Sequence, residues 1–498
     1  MNCCCRWLNR HGTWLAIKRI ALCLWIAFAL HALDAYSYFA LSFSITLYFT
    51  ESLGMSDEAA SRYYAWYGGA SVIFGVLSGP VIDRMGLKKS LLLGALVSTV
   101  ARVLFAFSGS IPVVVLSLLI GVPLGAGLFQ PPLHIAVDRY SALKATSVDE
   151  ESEIKKMGFR FLYTAANVGA IVALLFTDFA IDTSPDLAGL GNSSDTNSSL
   201  AQLTCPTSFD LFNGGDDPGD SSDDHWMFEG YVLLFATAAA VSAFTVVLSS
   251  AFQEQRMAKE PAKLTWRLGL STLREPNFYI LLWFVTVLIP VRAMFKYMEA
   301  LMPLYLTRTL PCAPYGTLLA VNPFGIIVLT PIVGVITRRV PFWALLVIGT
   351  FVSGVAPLLM YWWRDGPLYS NIWVSIGIFT LGEALYSPLI SQYTLLLSPA
   401  DKKGLYGGLI LIPTFIGTFV AGEITVWLLA TYCPRDGDPD RCHDMWLPVT
   451  LMSVSSSVLL LVMWVVLHPI CKYDEAARAE GYVLQEDFEG DVELDAQN

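Results

Sequence analysis

The segment 71–105 reads SVIFGVLSGPVIDRMGLKKSLLLGALVSTVARVLF, which is an apolar run, a short charged turn at 83–89 and a second apolar run. A helix needs roughly 20 predominantly apolar residues to cross a bilayer. Each run reaches that length once its apolar flanks are included, and the turn between them is too short to form a domain. The segment therefore predicts two consecutive membrane-spanning helices that run in opposite directions.

The same pattern continues along the whole chain of 498 residues. Hydrophobic residues make up 55% and charged residues 15%, whereas a soluble domain has about 25% charged residues. We therefore predict an all-α, polytopic integral membrane protein with twelve transmembrane helices, embedded in a lipid bilayer. The apolar stretches are 20–50, 62–82, 88–108, 112–137, 157–181, 227–252, 275–306, 315–337, 342–363, 371–398, 404–430 and 446–469.

The basic residues predict the orientation of these spans. Of the 31 Lys and Arg residues, 22 lie in the two terminal segments and in the connections on the same side of the membrane as the termini. Lys and Arg are enriched on the cytoplasmic side, whereas acidic residues influence topology weakly. Both termini are therefore predicted to be cytoplasmic. The net charge of −11 comes largely from the loop at 182–226 and from the tail, and we expect no nucleic-acid partner.

The composition divides the chain into two halves of six spans. The outer loop at 182–226 is rich in Asp, Ser, Asn and Gly and is predicted to be disordered. The predicted segments are a cytoplasmic N-terminus at 1–19, a six-helix bundle at 20–252, a basic cytoplasmic linker at 253–274, a second six-helix bundle at 275–469 and an acidic cytoplasmic tail at 470–498.

Two kinds of covalent modification are expected on the outer side. Asn192 and Asn197 each begin an Asn-Ser-Ser sequon, and the loop that carries them is predicted to be extracellular or luminal. Cys433 and Cys442 share one short outer loop, where disulfides can persist, and are the candidate pair.

A repeat relates the halves, because VIDR at 81–84 follows the second span and VITR at 335–338 follows the eighth. Two related six-span halves are the architecture of the major facilitator superfamily, in which substrate binds between the halves at the midplane. GPVIDRMGLKK at 79–89 resembles the superfamily's motif Gly-x-x-x-Asp-Arg-x-Gly-Arg-Lys. The resemblance implies a cytoplasmic gate, in which Asp83 accepts hydrogen bonds at a helix end. The candidate gating residues are Gly79, Asp83, Arg84, Gly86, Lys88 and Lys89.

Four further stretches resemble the proton-dependent oligopeptide transporter family. They are GAGLFQPP at 125–132, GFRFLYTAANVGA at 158–170, NPFGIIVLTP at 322–331 and GEALYSP at 382–388. The resemblance implies a solute-binding cavity between the halves. Its candidate site residues on these stretches are Gln130, Tyr163, Asn167, Asn322 and Glu383.

The first span departs from that family. HALDAYSYFA at 31–40 stands where the family has Glu-x-x-Glu-Arg-Phe-x-Tyr-Tyr-Gly, so His31 replaces the first Glu and Ala35 replaces the Arg, while Asp34 keeps the second carboxylate. The span-four Lys of the family is Gln130 here. The sequence thus keeps the carboxylate and aromatic positions, Tyr38 among them, and lacks the family's cations for a substrate carboxylate.

Ionisable groups at membrane depth face a cavity or a partner, because burying an isolated charge in the bilayer is costly. A carboxylate in a poorly hydrated cavity can bind and release a proton. Asp34 and Glu383 are therefore candidate proton sites, with His31, one turn from Asp34, as a candidate partner. The alternative for both carboxylates is a structural hydrogen bond to a neighbouring helix.

Span seven carries Arg292, Lys296 and Glu299 at spacings of four and three, which places them on one helix face. Arg292 is a candidate anchor for an anionic substrate in place of the missing cations. The equally open alternative is an ion pair of a basic residue with Glu299 within the helix.

We predict a secondary active transporter of a small peptide-like or amino-acid-like solute, coupled to protons and working by alternating access. The alternatives are a facilitative carrier of amino acids or organic anions without proton coupling, and a transporter-like receptor or scaffold. The sequence has no Gly-x-x-x-x-Gly-Lys-Ser/Thr motif for nucleotides and no hydrolase motif, so we expect neither a nucleotide partner nor an enzyme. No cofactor or metal site is predicted, and the expected location is the plasma membrane or an endolysosomal membrane.

Overall fold

The computed structural model describes residues 22–140, 148–182, 230–254, 276–310, 314–337, 340–363, 368–396, 412–434 and 439–466. These residues contain twelve helices long and apolar enough to cross a membrane, as the sequence predicts. The helices are α1 Leu22–Ser52, α2 Asp57–Met85, α3 Leu87–Phe107, α4 Ile111–Tyr140, α5 Val148–Asp182, α6 Gly230–Ala251, α7 Pro276–Thr309, α8 Tyr315–Ile336, α9 Phe342–Trp362, α10 Leu368–Leu396, α11 Ile412–Tyr432 and α12 Arg441–Val466.

Several predicted segments lie outside the described residues. These are the N-terminus at 1–19, the tail at 470–498, the linker from residue 255 onward and the outer loop from residue 183 onward, which includes Asn192 and Asn197.

The two ends of α2 show how local sequence fixes where a helix begins and ends. The Ser56 side chain caps α2 by accepting a hydrogen bond from the Ala59 N–H at 3.2 Å. Gly86 ends α2 with φ of 83°, in the left-handed region that glycine adopts at little cost. The quoted charged segment is therefore a tight turn between two antiparallel helices.

Helix packing pairs the spans both within and between the two halves. In the first half, α1 lies along α5 and α6, and α3 lies along α4 and α6. In the second half, α7 packs on α11, and both α8 and α9 pack on α10. Extended contacts between the halves are made by α2 with α11 and by α5 with α8. At the α2–α11 crossing the backbones come very close, since Gly68 lies against Thr418 and Phe419, and Gly422 lies against Ala65.

The largest apolar cluster among the residues that the structure describes is shared between the two halves. On the predicted outer side, a single cluster contains Phe49 and Tyr64 from the first half with Tyr305 and Trp446 from the second. On the predicted inner side, the first half has its own cluster around Phe129 and Leu133. The second half has a separate cluster around Phe284, Leu288 and Tyr386. The halves thus share their largest cluster on the predicted outer side and have separate large clusters on the inner side, and Tyr163 of the first half also packs against a small cluster of the second half around Ile326 and Val333.

Candidate functional site

Three of the buried carboxylates are ones that the sequence places at membrane depth, and each has polar partners. Asp34 on α1 and Glu383 on α10 are 4% exposed, and Glu299 on α7 is fully buried. A buried charge is tolerated when it is paired and hydrogen-bonded. The partners of each carboxylate therefore define what it can do.

Glu383 joins the two halves through neutral donors. The Tyr163 hydroxyl on α5 donates to Glu383 Oε1 at 2.9 Å, and Asn322 Nδ2 on α8 donates to Glu383 Oε2 at 2.9 Å. Asn322 Nδ2 also donates to Thr380 Oγ1 at 3.1 Å. The structure therefore brings together three residues that the sequence placed in the site, from one helix of the first half and two of the second.

Arg292 on α7 is half-buried, and its positive charge acts on the Glu383 carboxyl. Asn167, one turn beyond Tyr163 on α5, is also half-buried, and its Nδ2 donates to the Tyr163 carbonyl at 2.8 Å. The surroundings of Glu383 therefore include a positive charge, from Arg292, as well as neutral hydrogen-bonding groups.

Glu299 lies in a second cluster, which closes the junction on the predicted outer side. Lys296 Nζ is 2.5 Å from Glu299 Oε1, and Lys296 is 1% exposed. Glu299 Oε2 accepts hydrogen bonds from the hydroxyls of Ser42, of Tyr38 at 3.2 Å and of Tyr64 at 3.0 Å. Of the two sequence alternatives for this stripe, the internal ion pair is the one that Lys296 and Glu299 form.

The hydroxyl of Tyr38, a predicted substrate-binding side chain, contacts α7 in this conformation. Lys296 Nζ donates to the Tyr38 hydroxyl at 2.5 Å, and that hydroxyl donates to Glu299. Its polar atom is therefore occupied by contacts between α1 and α7. The spacing of aromatic residues along α1 could not reveal a partner some 258 positions away.

The predicted pairing of Asp34 with His31 is wrong in this structure. Asp34 Oδ1 is 3.4 Å from the Arg102 guanidinium of α3, and Asp34 Oδ2 accepts from Gln130 Nε2 of α4 at 3.2 Å. Arg102 also donates to the Ser242 hydroxyl of α6. Asp34 therefore holds four helices of the first half together, as in the structural alternative.

His31 contacts a second imidazole instead. The rings of His31 and His134, on α1 and α4, are 5.7 Å apart and nearly perpendicular. His31 Nδ1 is buried and has no hydrogen-bond partner among the described residues, and His134 Nδ1 lies 3.1 Å from the Gln130 carbonyl oxygen. His134 was not among the predicted site residues, although its spacing of four from Gln130 places both on one face of α4.

The candidate gating residues lie at the inner end of α2 and the start of α3. Gly79 is buried, Asp83, Gly86 and Lys88 are half-buried, and Arg84 and Lys89 are exposed. The hydrogen bonds that the sequence led us to expect from Asp83 at a helix end are made by another residue. Glu254, just after α6, accepts from the Leu87 N–H at 3.1 Å and from the Lys88 N–H at 3.4 Å. Asp83 instead lies near Arg139 of α4.

Polar contacts between the halves also close the predicted outer end, and the sequence analysis did not identify them. Arg308 at the end of α7 pairs with Asp57 at the start of α2 at 2.6 Å and donates to the Cys433 carbonyl. Cys433 and Cys442, the candidate pair from the sequence, are joined by a disulfide.

The N-terminus of α8 makes a further contact of this kind. The carboxylate of Asp178, on α5, accepts from the N–H of Gly316 at 2.7 Å and of Thr317 at 2.6 Å. The described residues contain no group of three or more His, Cys, Asp or Glu side chains placed to hold a metal ion.

Comparisons with known proteins agree with this architecture. No protein-family model matches the sequence. Dipeptide and tripeptide permease A of Proteus mirabilis (strain HI4320) is 22% identical over 437 residues, which cover 80% of this chain and 85% of that protein. Dipeptide and tripeptide permease A of Klebsiella pneumoniae (strain 342) is 23% identical over 156 residues, which cover 31% of this chain and 29% of that protein.

Solved structures match over nearly the whole chain. A proton dependent oligopeptide transporter superposes with a TM-score of 0.63 at 15% identity, covering 90% of this chain and 99% of that one. A POT family transporter in complex with 5-aminolevulinic acid gives a TM-score of 0.64 at 14% identity, covering 88% of this chain and 95% of that one. The chain therefore has the fold of the proton dependent oligopeptide transporters, and the resemblance predicted from the sequence is confirmed at the level of the fold.

Proposed function

We propose that this protein is a secondary transporter of small peptide-like solutes, driven by a proton gradient and working by alternating access between its two halves. The observation that carries the proposal is the Glu383 cluster, in which Tyr163 of one half and Asn322 of the other bind one buried carboxylate. The names of the matched relatives, which are peptide permeases and proton dependent oligopeptide transporters, support the same class of solute.

In this proposal both termini are cytoplasmic, and the structure corresponds to an inward-facing state. The shared core lies on the predicted outer side, while the cores of the two halves are divided on the inner side. Opening on the outer side would require the contacts around Glu299 and Arg308 to break. We assign the turn at 79–89 to the inner gate, with Asp83 near Arg139 and with Glu254 holding the start of α3.

The proposed role of Glu383 is to bind the ammonium group of the solute and, in alternation, a proton. An ammonium group and a proton can each compensate a buried carboxylate, which otherwise carries a large desolvation cost. The phenol and amide donors around it stabilise the carboxylate between these events. Arg292 supplies a positive charge near this carboxylate.

The experiment is exchange and uptake of radiolabelled dialanine by the purified full chain in proteoliposomes, with alanine and 5-aminolevulinic acid as competitors. Exchange driven only by unlabelled dialanine inside the vesicle reports alternating access. Uptake against a concentration gradient, with and without an inward proton gradient, reports coupling.

Glu383→Gln is predicted to abolish accumulation above equilibrium under a proton gradient and to retain exchange at a reduced rate. The amide keeps the hydrogen-bonding shape and resembles the protonated acid, but it cannot gain or lose the proton. Asn322→Asp is the companion change, since it adds a carboxylate beside Glu383 without removing it. Accumulation of dialanine by Glu383→Gln would show that coupling resides elsewhere, and absence of exchange in the wild type would reject the proposed solute.

A facilitative carrier is the second candidate function, and a specific observation favours it. Two of the carboxylates at membrane depth are already paired with cations, Asp34 with Arg102 and Glu299 with Lys296. If wild-type uptake proceeds and does not respond to the proton gradient, the facilitative function is the correct one.

A further inference from the structure

We propose that His31 and His134 form a proton-dependent binding site for the anionic group of the solute. This inference rests on the proposed function and assigns a role to the first half that the Glu383 cluster leaves open. The ligand class is a carboxylate, bound between α1 and α4 together with one proton.

The position of the pair follows from helix geometry. His31 and Tyr38 are seven residues apart on α1 and so share one face. Tyr38 on that face contacts Lys296 of the second half. His31 therefore lies two turns further toward the predicted inner side, on the surface that looks toward the opposite half. Both imidazoles are half-buried, so part of each ring is accessible.

The hydrogen bonds determine which nitrogen is basic. The Gln130 carbonyl only accepts hydrogen bonds, so the His134 Nδ1, 3.1 Å away, carries the hydrogen. His134 Nε2 is then the nitrogen with the free lone pair when the ring is neutral. The buried His31 Nδ1 has no hydrogen-bond partner among the described residues, and such a nitrogen is stabilised when a ligand supplies one.

The charged groups near the pair are engaged with partners or exposed. Asp34 is paired with the buried Arg102 guanidinium. Arg160 of α5 is exposed and lies beside Gly334 of α8. The rings of His31 and His134 are 5.7 Å apart, so a charge on one opposes a charge on the other. On the predicted inner side of the first half, Asp138 is paired with Lys155 and Asp83 lies near Arg139.

An unpaired positive charge on two adjacent imidazoles in a poorly hydrated site has a high desolvation cost. An unpaired carboxylate that enters such a site has the same kind of cost. A proton that forms an N–H bond at His134 Nε2 removes both obstacles, because the imidazolium and the carboxylate compensate each other. By linkage, the proton raises the affinity for the anion by the same factor as the anion raises the affinity for the proton. When the site opens to the opposite side, loss of that proton to water releases the solute.

The test measures the KM of dialanine in exchange between roughly pH 5.5 and 7.0, where the peptide keeps its ammonium and carboxylate charges. We expect the wild-type KM to be about tenfold lower at the acidic end, the effect of one favourable charge contact. His134→Gln and His31→Gln should lose this pH dependence. His134→Lys should show a low KM at both pH values, because its charge is permanent, and should lose accumulation driven by the proton gradient.

The controls separate this inference from the proposed function. His443→Gln removes an imidazole that is bonded to Tyr305 and to the Met360 carbonyl, away from the pair, and should keep the wild-type pH profile. Wild-type pH dependence in both His134→Gln and His134→Lys would overturn the inference while the proposed function stood. Loss of the pH dependence in Arg292→Gln alone would also overturn it, since Arg292 would then be the anion site. Absence of dialanine exchange in the wild type would reject the proposed function itself.

Discussion

A buried ion pair at the junction of the halves shows how much depends on single residues. Lys296 and Glu299 are almost fully buried, and Glu299 also accepts hydrogen bonds from α1 and α2. Removing one member of such a pair leaves an uncompensated charge and costs about 3–5 kcal/mol, whereas replacing both with apolar or neutral groups costs much less. Breaking the ion pair is therefore costly, whereas the intact pair contributes little to the free energy of unfolding.

We predict that Glu299→Gln lowers the thermal unfolding temperature in detergent substantially and that adding Lys296→Met to it recovers most of the loss. The first change strands the buried ammonium, and the second removes it. Glu58→Gln is the matched control, because its partner Arg62 is half-exposed and exposed pairs contribute about 0–1 kcal/mol. Equal losses in Glu299→Gln and Glu58→Gln would mean that the Lys296 pair is hydrated.

The sequence could identify the buried carboxylates but not their partners. Asp34 and Glu383 stand out because charges are rare in apolar helices. The local spacing on span seven predicted either an ion pair of a basic residue with Glu299 or a substrate anchor at Arg292. The partner of Asp34, however, is Arg102 on another helix, 68 positions away. His31 was the nearer candidate along the chain, yet its side chain packs on His134. Partners of this kind are chosen by the packing of helices, which a single helix pattern does not contain.

At the scale of elements, hydropathy predicted all twelve spans and missed several of their ends. Helix α2 begins at Asp57 rather than at 62, because Ser56 caps it and acidic residues are favourable in a first helical turn. Helix α5 begins at Val148 rather than at 157, since its first turns are charged and continue the helix beyond the apolar stretch. Hydropathy records only the part of a helix that is apolar.

The α2–α11 crossing makes a prediction at this scale. A Cβ atom at Gly68 would lie 2.7 Å from the Phe419 backbone nitrogen and 2.7 Å from Thr418 Cβ. Gly68→Val should therefore prevent close packing of α2 on α11 and disfavour the state that is closed on the outer side. We expect a large loss of dialanine exchange and stronger labelling, from outside, of a cysteine introduced at Thr46, which is buried at the end of α1.

Gly377→Val is the matched control, because a Cβ at Gly377 meets no atom within 4 Å. It should retain exchange and leave the Thr46 position protected. If Gly68→Val also left both measurements at their wild-type values, the two backbones would not need to approach this closely during transport.

At the scale of the whole molecule, contacts of several kinds join the two halves on the predicted outer side. On the predicted outer side the halves share an apolar core, the buried Glu299 cluster, the Asp178 contact with α8 and the ion pair of Asp57 with Arg308. The cores on the inner side are separate. Alternating access requires the outer contacts to be breakable, and a partly exposed ion pair is easier to break and re-form than a buried one. The hydropathy pattern carries none of this asymmetry, because it depends on which faces of distant helices meet.

The pair of Asp57 with Arg308 provides the test at this scale. Its side chains are 19% and 13% exposed, so the pair contributes on the order of 1 kcal/mol, about a fivefold shift between states. Asp57→Arg places like charges across the outer end and should shift the population toward the outward-open state, with greater labelling of the Thr46 position and slower exchange. The swap Asp57→Arg with Arg308→Asp restores the attraction and should return the labelling toward the wild type. Recovery is expected to be incomplete, because a carboxylate at position 308 cannot donate to the Cys433 carbonyl next to the disulfide as the Arg308 guanidinium does. Labelling that stayed high in the swap would show that the two positions do not face each other when the outer end is closed.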